Sequence, residues 1–504
     1  MSRPLLTTVG HCTSTTARIC ITTKDGLVDA RLAFRSGGGA FQERTLRLTR
    51  PEGSTYAHGS FELDGLAESS TVEYAVAVSA SPEALPSLAR LSQSGGLARF
   101  RLLPPPGQPL RVALVSCNGV HTVSDFSRRQ AMWKQLGEVV AAGGVDLLLH
   151  VGDQIYADHI RESWQLQDLD HELTPENPEL MPRLREAFRL LYEDTWQRPE
   201  VAAVLGSVPS LMMWDDHEIF DGWGSFDEVT PADRAFFEAA RTAFEEFQVR
   251  HNPPRFKDSY GFGWTSNGIG FLALDARTHR SWKDQTIIGE GQWAEVDAWL
   301  ESQVSAGLKR LFVITGIPPL HAKVAAASNL LEKLGANSLL GDVRDSWMAP
   351  NNVEELRKLL SRLFEFRKRS PGTEVTLLGG DVHVGTTARL RSQMPVHKRG
   401  ETDQPEITQV VSSGIGSEPP EGIIRQMVEL GIDSESVDIY QDLFTGKLLE
   451  LPGNPDGLLL FRRNFAVLDL HAKDGRGWEP HRNLRVRFHA EDLSRPLEQT
   501  LLAL

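Results

Sequence analysis

Four short apolar runs in this sequence each end on side chains able to bind a metal ion. RVALVSCN reaches Cys117 and Asn118, VDLLLHVGDQIY reaches Asp153 and Tyr156, LMMWDDHE reaches Asp216 and His217, and TLLGGDVH reaches Asp381 and His383. A phenolate is a hard, strongly donating ligand for a trivalent iron, a carboxylate can bridge two ions, and a coordinated thiol is deprotonated outright. Together these donors point to metal-dependent hydrolysis.

Each motif carries its own chemistry. In GDQIY the carboxylate of Asp153 and the phenol of Tyr156 stand three residues apart in a turn after a strand. WDDHE sets two acids and a histidine in succession behind an apolar run, a cluster costly to enclose unless cations or hydrogen bonds satisfy it. Side chains alternate along an extended chain, so Asp216 and His217 are expected to take different jobs, Asp216 as a ligand and His217 as an acid or phosphate contact. Asp381 and His383, at i and i+2 after Gly379 and Gly380, fall on one side of an extended segment and can reach one cluster. A cysteine-hydrolase reading of Cys117 meets an objection, because nearby carboxylates raise a thiol pKa rather than lower it.

The runs that deliver these residues read as buried strands, near-continuous in Val, Leu and Ile, and α/β sheets collect their chemistry beyond the carboxyl ends of such strands. From Arg111 the pattern alternates strand and helix. Met132, Leu136, Val139 and Val140 mark one apolar helix face ending before Gly143 and Gly144; Phe236, Ala240, Phe244 and Phe247 mark a second, and Val353, Leu356, Leu360, Leu363 and Phe364 a third. These stripes are assigned to the core. Further strands are expected at FGWTS, GIGFLALDAR, RLFVITG, EVTLLGG, ITQVVSS, FAVLDLHA and NLRVRFHA, in a mixed sheet. Polar stretches at 159–181, 395–406 and 417–456 are expected as loops or small helical inserts. Residues 1 to about 103 differ, with short β-rich runs such as ARICITT and STVEYAVAVSA at turn-separated intervals, the mark of an antiparallel sandwich. The Pro-rich LLPPPGQP that follows reads as a linker.

At 504 residues, 40 % apolar and 24 % charged, the chain is ordinary globular material for one large domain and an accessory one. Its net charge of −14 and lack of a basic stretch exclude general nucleic-acid binding as an expectation. No apolar signal core or membrane-length run is evident, so a cytoplasmic protein without a membrane span is expected. Three cysteines, Cys12, Cys20 and Cys117, suit a reducing compartment, with Cys12 and Cys20 expected as buried thiols.

In their order, Cys117, GDxxY, DDHE and GDVH resemble the calcineurin-like metallophosphoesterases, and more narrowly the alkaline phosphatase D (PhoD-like) family; purple acid phosphatases share the GDxxY element. TTVGHCTSTTARICI resembles the opening of that family's N-terminal fibronectin-like domain. The resemblance implies an α/β fold, a calcineurin-like β-sandwich flanked by helices over residues 107–504, preceded by a fibronectin III-like all-β domain over 1–106. It implies an Fe(III) held by Cys117, Asp153, Tyr156 and His383, with Asp153 bridging to a second ion held with Asp216 and Asp381. Ca(II) is the expected second ion, with Mn(II) or Zn(II) as alternatives, and His217 would sit beside the phosphoryl group. Asp221 stands where relatives often have Asn, Asn118 is expected to assist through its amide, and His321 follows a strand as a metal ligand does in related enzymes. A phosphate-gripping arginine is sought at Arg344 or Arg357. The family's twin-arginine export signal is not seen, so secretion is not carried over. The expected activity is hydrolysis of a small phosphate ester by a metal-bound hydroxide; the alternatives are a phosphodiesterase of nucleotide or lipid diesters and a non-catalytic scaffold with a degenerate site.

Overall fold

The computed structural model describes residues 4–93, 95–119, 130–320, 344–421, 425, 437–470 and 483–502. The early β-rich runs form two antiparallel sheets. One holds strands Leu6–Cys12, Ala17–Thr23 and Ala57–Leu63; the other runs Gln42–Arg47, Asp29–Ser36, Thr71–Ser79, Ala98–Arg101 in spatial order. Period-two alternation decides what each strand buries: Ala30, Leu32 and Phe34 join the main core with Ile19, Ile21 and Phe61. Ala33 on the opposite face packs with Ala75, Ala77 and Leu91, under the helix Leu88–Ser92. The expected fibronectin III-like all-β region is present.

Residues 102–109 contain no strand, as three prolines dictate. The segment is pinned where the Gly107 amide donates to Asn267 Oδ1 at 2.8 Å and Asn267 Nδ2 donates to Gln108 O at 2.9 Å. Beyond it, two mixed sheets face each other. The first has six strands, Ser210–Met213, Leu147–Val151, Arg111–Val115, Asn464–Asp469, Leu484–Ala490 and Leu497–Leu501 in spatial order, the first three parallel. The second has eight, with Ile269–Ala273, Arg310–Gly316, Glu374–Gly379 and Glu406–Val411 parallel at its centre. Phe312 and Ile314 pack into the core shared with the first sheet. Their neighbours Leu311 and Val313 turn outward onto Trp293 and Val296 of helix Glu290–Gln303 and Leu356 and Leu360 of helix Val353–Arg369. This is the sandwich flanked by helices that the family resemblance implies.

One expectation needs correction. Residues 417–456 are not only loop or helical insert: Val437–Tyr440 and Phe444–Leu448 form an antiparallel hairpin that extends the eight-stranded sheet. Its polar outward positions, Asp438 and Lys447, hid the alternation. Among the described residues no helix is long and apolar enough to cross a membrane. All three cysteines are buried free thiols.

The N-terminal sheets share a continuous apolar core with the rest of the chain. Polar contacts tighten this junction. Arg18 Nη1 donates to Asn252 O at 2.6 Å, Tyr74 Oη to Gly206 O at 2.8 Å, and Lys24 pairs with Glu193 at 2.8 Å. His251 sits among them, fully buried; its Nδ1–H donates to Gln248 O at 3.2 Å, so Nε2 accepts from Thr8 Oγ1 at 2.5 Å. Burial, reinforced by Arg250, lowers its pKa to about 3. The native state therefore binds fewer protons than the unfolded one between pH 6.5 and 3. Stability is full above pH 6.5 and falls as pH drops toward 3, by on the order of 5 kcal/mol for this group. Denaturant midpoints measured from pH 7 to 4 should decline, and His251→Gln should flatten that decline; parallel curves for the two proteins would reject the assignment.

Candidate metal centre

Five parallel strands end at the same distance from a polar side chain. Cys117, Asp153, Asp215, Asp381 and Ser413 each lie two residues beyond a strand, after Val115, Val151, Met213, Gly379 and Val411. The first three strands belong to one sheet and the last two to the other, so the ends converge across the sandwich. The backbone then bends sharply. Cys117, Asp153, Asp381 and His383 adopt left-handed φ values of 55°, 56°, 63° and 52°, a conformation that costs a non-glycine residue about 1–3 kcal/mol. Asp381 and His383 therefore meet the cluster through two successive bends, not through the extended alternation that their spacing suggests.

Asp153, Asp215, Asp216 and Asp381 offer carboxylate oxygens that all lie within 4.8 Å of one another, and Asp153, Asp216 and His217 form an overlapping group. Asp153 Oδ1, Asp215 Oδ2 and Asp216 Oδ1 are buried and, among the described residues, have no hydrogen-bond partner. Burial, then Cys117 and Asp216, drives the Asp153 carboxyl well above the usual range; burial, then Asp215 and Asp216, does the same to Asp381. Such groups either take up protons or bind a cation. The donor set fits a cation.

A thiol, a phenol and an imidazole adjoin the carboxylates. Cys117 Sγ lies 3.2 Å from Asp153 Oδ2 and accepts from Ser413 Oγ at 3.0 Å. Tyr156 Oη donates to His383 Nε2 at 3.0 Å and accepts from Ser417 Oγ at 3.1 Å. Burial raises both the Cys117 thiol, helped by Asp381, and the Tyr156 phenol, helped by Cys117. His383 Nδ1 donates to Glu418 O at 3.1 Å, which leaves the Nε2 lone pair turned toward Tyr156, the tautomer a metal ligand requires. Burial, then His217, lowers the His383 pKa to about 4, so it is neutral.

His217 lies at the edge of this group, in the wall of a cavity. Asp215 caps a 3₁₀ turn at Asp216–Glu218 that separates the two side chains, sending Asp216 inward and His217 toward solvent. Its ring stacks on Tyr156 with centroids 4.1 Å apart, and Nδ1 donates to Asp158 Oδ2 at 2.8 Å. Burial opposes its charge, but the Asp216 and Asp158 carboxylates outweigh burial and hold its pKa well above 6.5. Its Nε2 makes no protein hydrogen bond among the described residues, and the ring lines a cavity of about 570 Å³. The turn thus gives the two side chains different surroundings, Asp216 inside the cluster and His217 in the cavity wall.

Two groups behind the cluster escaped the sequence reading. Arg277, fully buried, joins its Nε to Asp215 Oδ1, reaches Asp216 Oδ1 at 3.4 Å and grips Asp345 at 2.7 and 2.8 Å. Glu218 accepts the amides of Asp153, Gln154 and Asp215 at 2.9, 2.6 and 2.8 Å, tying two strand ends to one carboxylate. Asp215, the first acid of WDDHE, was counted in the motif but given no role. Glycine makes room for it: a Cβ on Gly152, at φ 111°, would stand 2.5 Å from Asp215 Cβ. Gly152→Ala should therefore lower stability by about 1–3 kcal/mol from overpacking, with a further φ penalty, and reduce metal uptake. A melting temperature and metal content equal to wild type would contradict it.

Other expected residues fall elsewhere. Asn118 accepts from Trp133 Nε1 at 2.7 Å and donates to Gln154 O at 3.3 Å. Asp221 lines the cavity mouth, and its amide donates to Asp158 Oδ1 at 2.7 Å. Arg344 pairs with Asp227 at 3.3 Å and Arg357 with Glu354 at 2.7 Å, and neither lines the cavity. His321 lies outside the described residues.

Comparison with known proteins bears on the fold and the family. The uncharacterized protein YGR266W of Saccharomyces cerevisiae is 23% identical over 370 residues, 58% of this chain and 52% of that protein, so the chain spans about half the length of this curated relative. A solved structure of PhoD superposes with a TM-score of 0.60 at 15% identity, covering 99% of this chain and 89% of that one. The purple acid phosphatase PPD1 of yellow lupin (Lupinus luteus) seeds gives 0.56 at 13% identity, covering 100% and 75%. At such identities these two likenesses speak for the fold. The model of the PhoD-like phosphatases matches residues 112–430, well over half of the sequence and every strand end that carries a cluster carboxylate, and the chain belongs to that family.

Proposed function

We propose that this chain hydrolyses phosphate esters at the strand-end cluster, using Fe(III) beside a second cation, Ca(II) in preference to Mn(II) or Zn(II). The observation that carries the reading is the set of buried carboxylate oxygens of Asp153, Asp215 and Asp216 that make no hydrogen bond among the described residues, beside Asp381. Bound there, two cations would act as Lewis acids on the phosphoryl oxygens and bring a water to hydroxide near neutral pH for in-line attack. Cys117, Tyr156 and His383 would hold the iron with Asp153, a thiolate, phenolate and imidazole set suited to it. Asp153, Asp216 and Asp381 would hold the second ion through oxygen alone, which suits a hard cation.

The remaining residues position and move protons. Asp158 orients the His217 ring through Nδ1, and Nε2 is free to contact the phosphoryl group or protonate the leaving oxygen. Arg277 offsets the acidic charge from behind and keeps Asp215 and Asp216 aimed at the cluster. Residues 107–504 would form the catalytic domain and 1–106 the accessory sandwich, a division supported by the family match beginning at residue 112.

Elemental analysis of the purified chain, run beside a panel of mono- and diesters, tests the reading. It requires two cations per chain, one of them iron, and hydrolysis that a chelator abolishes. A metal-free active chain, or a metal-loaded chain inert toward every ester, would reject it.

A further inference from the structure

The helix Asp158–Leu166 leaves the metal cluster immediately after Tyr156 and turns one face to the cavity: Asp158, Arg161, Glu162 and Gln165, spaced i, i+3, i+4 and i+7, all line it. At about 1.5 Å per residue, Arg161 stands about one turn along the helix from Asp158, and Gln165 about one turn beyond Arg161. Asp158 is engaged by His217. Arg161 is the only Arg or Lys lining this cavity among the described residues, against the carboxylates of Asp158, Glu162, Asp221 and Glu418.

Arg161 is held ready for a ligand. Its guanidinium stacks over the Phe220 ring at 3.8 Å, and Phe220 is wedged against Trp223, Phe226 and Phe236. One edge is tied, Nη2 donating to Asp233 Oδ1 at 2.7 Å, and Asp233 is itself fixed as the capping-box partner of Thr230. Nε and Nη1 make no hydrogen bond among the described residues, and the side chain is one-third exposed. A rigid guanidinium with one edge anchored and the other open matches a carboxylate or phosphate oxygen pair.

We propose that Arg161 is a specificity residue that binds an anionic group on the leaving portion of the phosphate ester, one helical turn beyond the reacting phosphoryl group. This rests on the phosphoesterase reading above. The surrounding carboxylates sharpen the choice, because an anionic substituent meets attraction at Arg161 and repulsion from Glu162, Asp221 and Glu418. The preferred substrates are therefore esters of an alcohol or phenol that carries a carboxylate or a second phosphate.

Phenyl phosphate and 4-carboxyphenyl phosphate differ by that one charge and test the inference on the metal-loaded full chain. Wild type should have the higher kcat/KM on the carboxylated ester. Arg161→Met should lose about 10- to 100-fold on that ester, mainly through KM, as expected for a charged hydrogen bond, and less than about threefold on phenyl phosphate. Arg161→Lys should recover part of the loss. Metal content and melting temperature should match wild type in both variants. Equal losses on both esters, or no loss on either, would overturn the role of Arg161 while leaving the phosphoesterase reading intact. A wild-type chain inert toward both esters would sink that reading and this inference with it.

Discussion

Asp153→Asn should strip both cations from the chain and lower phosphate-ester hydrolysis by at least about 10³-fold. Asp153 is the residue through which the two halves of the cluster meet: Oδ2 lies against Cys117 Sγ at 3.2 Å, and Oδ1 is buried without a partner among the other carboxylates. An amide has nearly the same shape but presents only one acceptor atom and no charge, so it cannot bridge two ions. Removal of a single oriented donor for a developing charge costs about 10²–10³ in rate, and loss of the cations removes several such interactions together. The fold should survive. The backbone amide of Asp153 is held by Glu218 at 2.9 Å, and in the metal-free chain burial and the neighbouring Asp216 carboxylate make the ionised carboxylate a liability. The variant should thus melt no lower than metal-free wild type, yet fail to gain stability when cations are added, because binding free energy in such a site is also folding free energy. Elemental analysis with paired melting curves checks this. Retention of either cation at full stoichiometry would show that Asp153 does not bridge.

Which parts of this site could be read in the sequence follows from where their signals lie. Cys117, Asp153, Tyr156, Asp216, His217, Asp381 and His383 each follow a buried apolar run closely, and a strand that ends in costly polar groups announces itself locally. Arg277 and Asp345 do not. They lie 62 and 130 residues beyond Asp215, after a different strand and beside a helix, and nothing in ALDAR or VRDSW states that they share one buried ion network. Asp158 was within reach in GDQIYAD, but its bond to His217 depends on a turn that brings residues 59 positions apart together. Arg161 was invisible for a related reason. An arginine on a polar helix is ordinary until Phe220 is found beneath it. The hairpin at Val437–Leu448 was missed because an edge hairpin with polar outward positions carries little apolar signal.

His217→Ala should lower kcat by about 10²–10⁴, the usual worth of a positioned general acid, while leaving both cations in place. The contrast with Asp153 comes from geometry. His217 is partly exposed in the cavity wall, its Nδ1 is taken by Asp158, and its ring packs flat on Tyr156 without using either nitrogen for that contact. Truncation to Ala removes a group facing the cavity and one stacking partner, but none of Cys117, Tyr156, His383 or the four carboxylates. Leaving-group dependence separates the two roles open to this residue. If His217 protonates the leaving oxygen, the loss should be largest for an alkyl phosphate and shrink for p-nitrophenyl phosphate, whose phenolate needs little assistance. If it contacts the phosphoryl oxygens, the loss should be the same for both. Asp158→Asn should follow in the same direction with a smaller effect, since it leaves Nε2 in place and weakens only the restraint on the ring. Loss of either cation from His217→Ala, measured on the protein as purified, would instead make His217 a ligand, and the overlapping group of Asp153, Asp216 and His217 would then be the second cation's true coordination set.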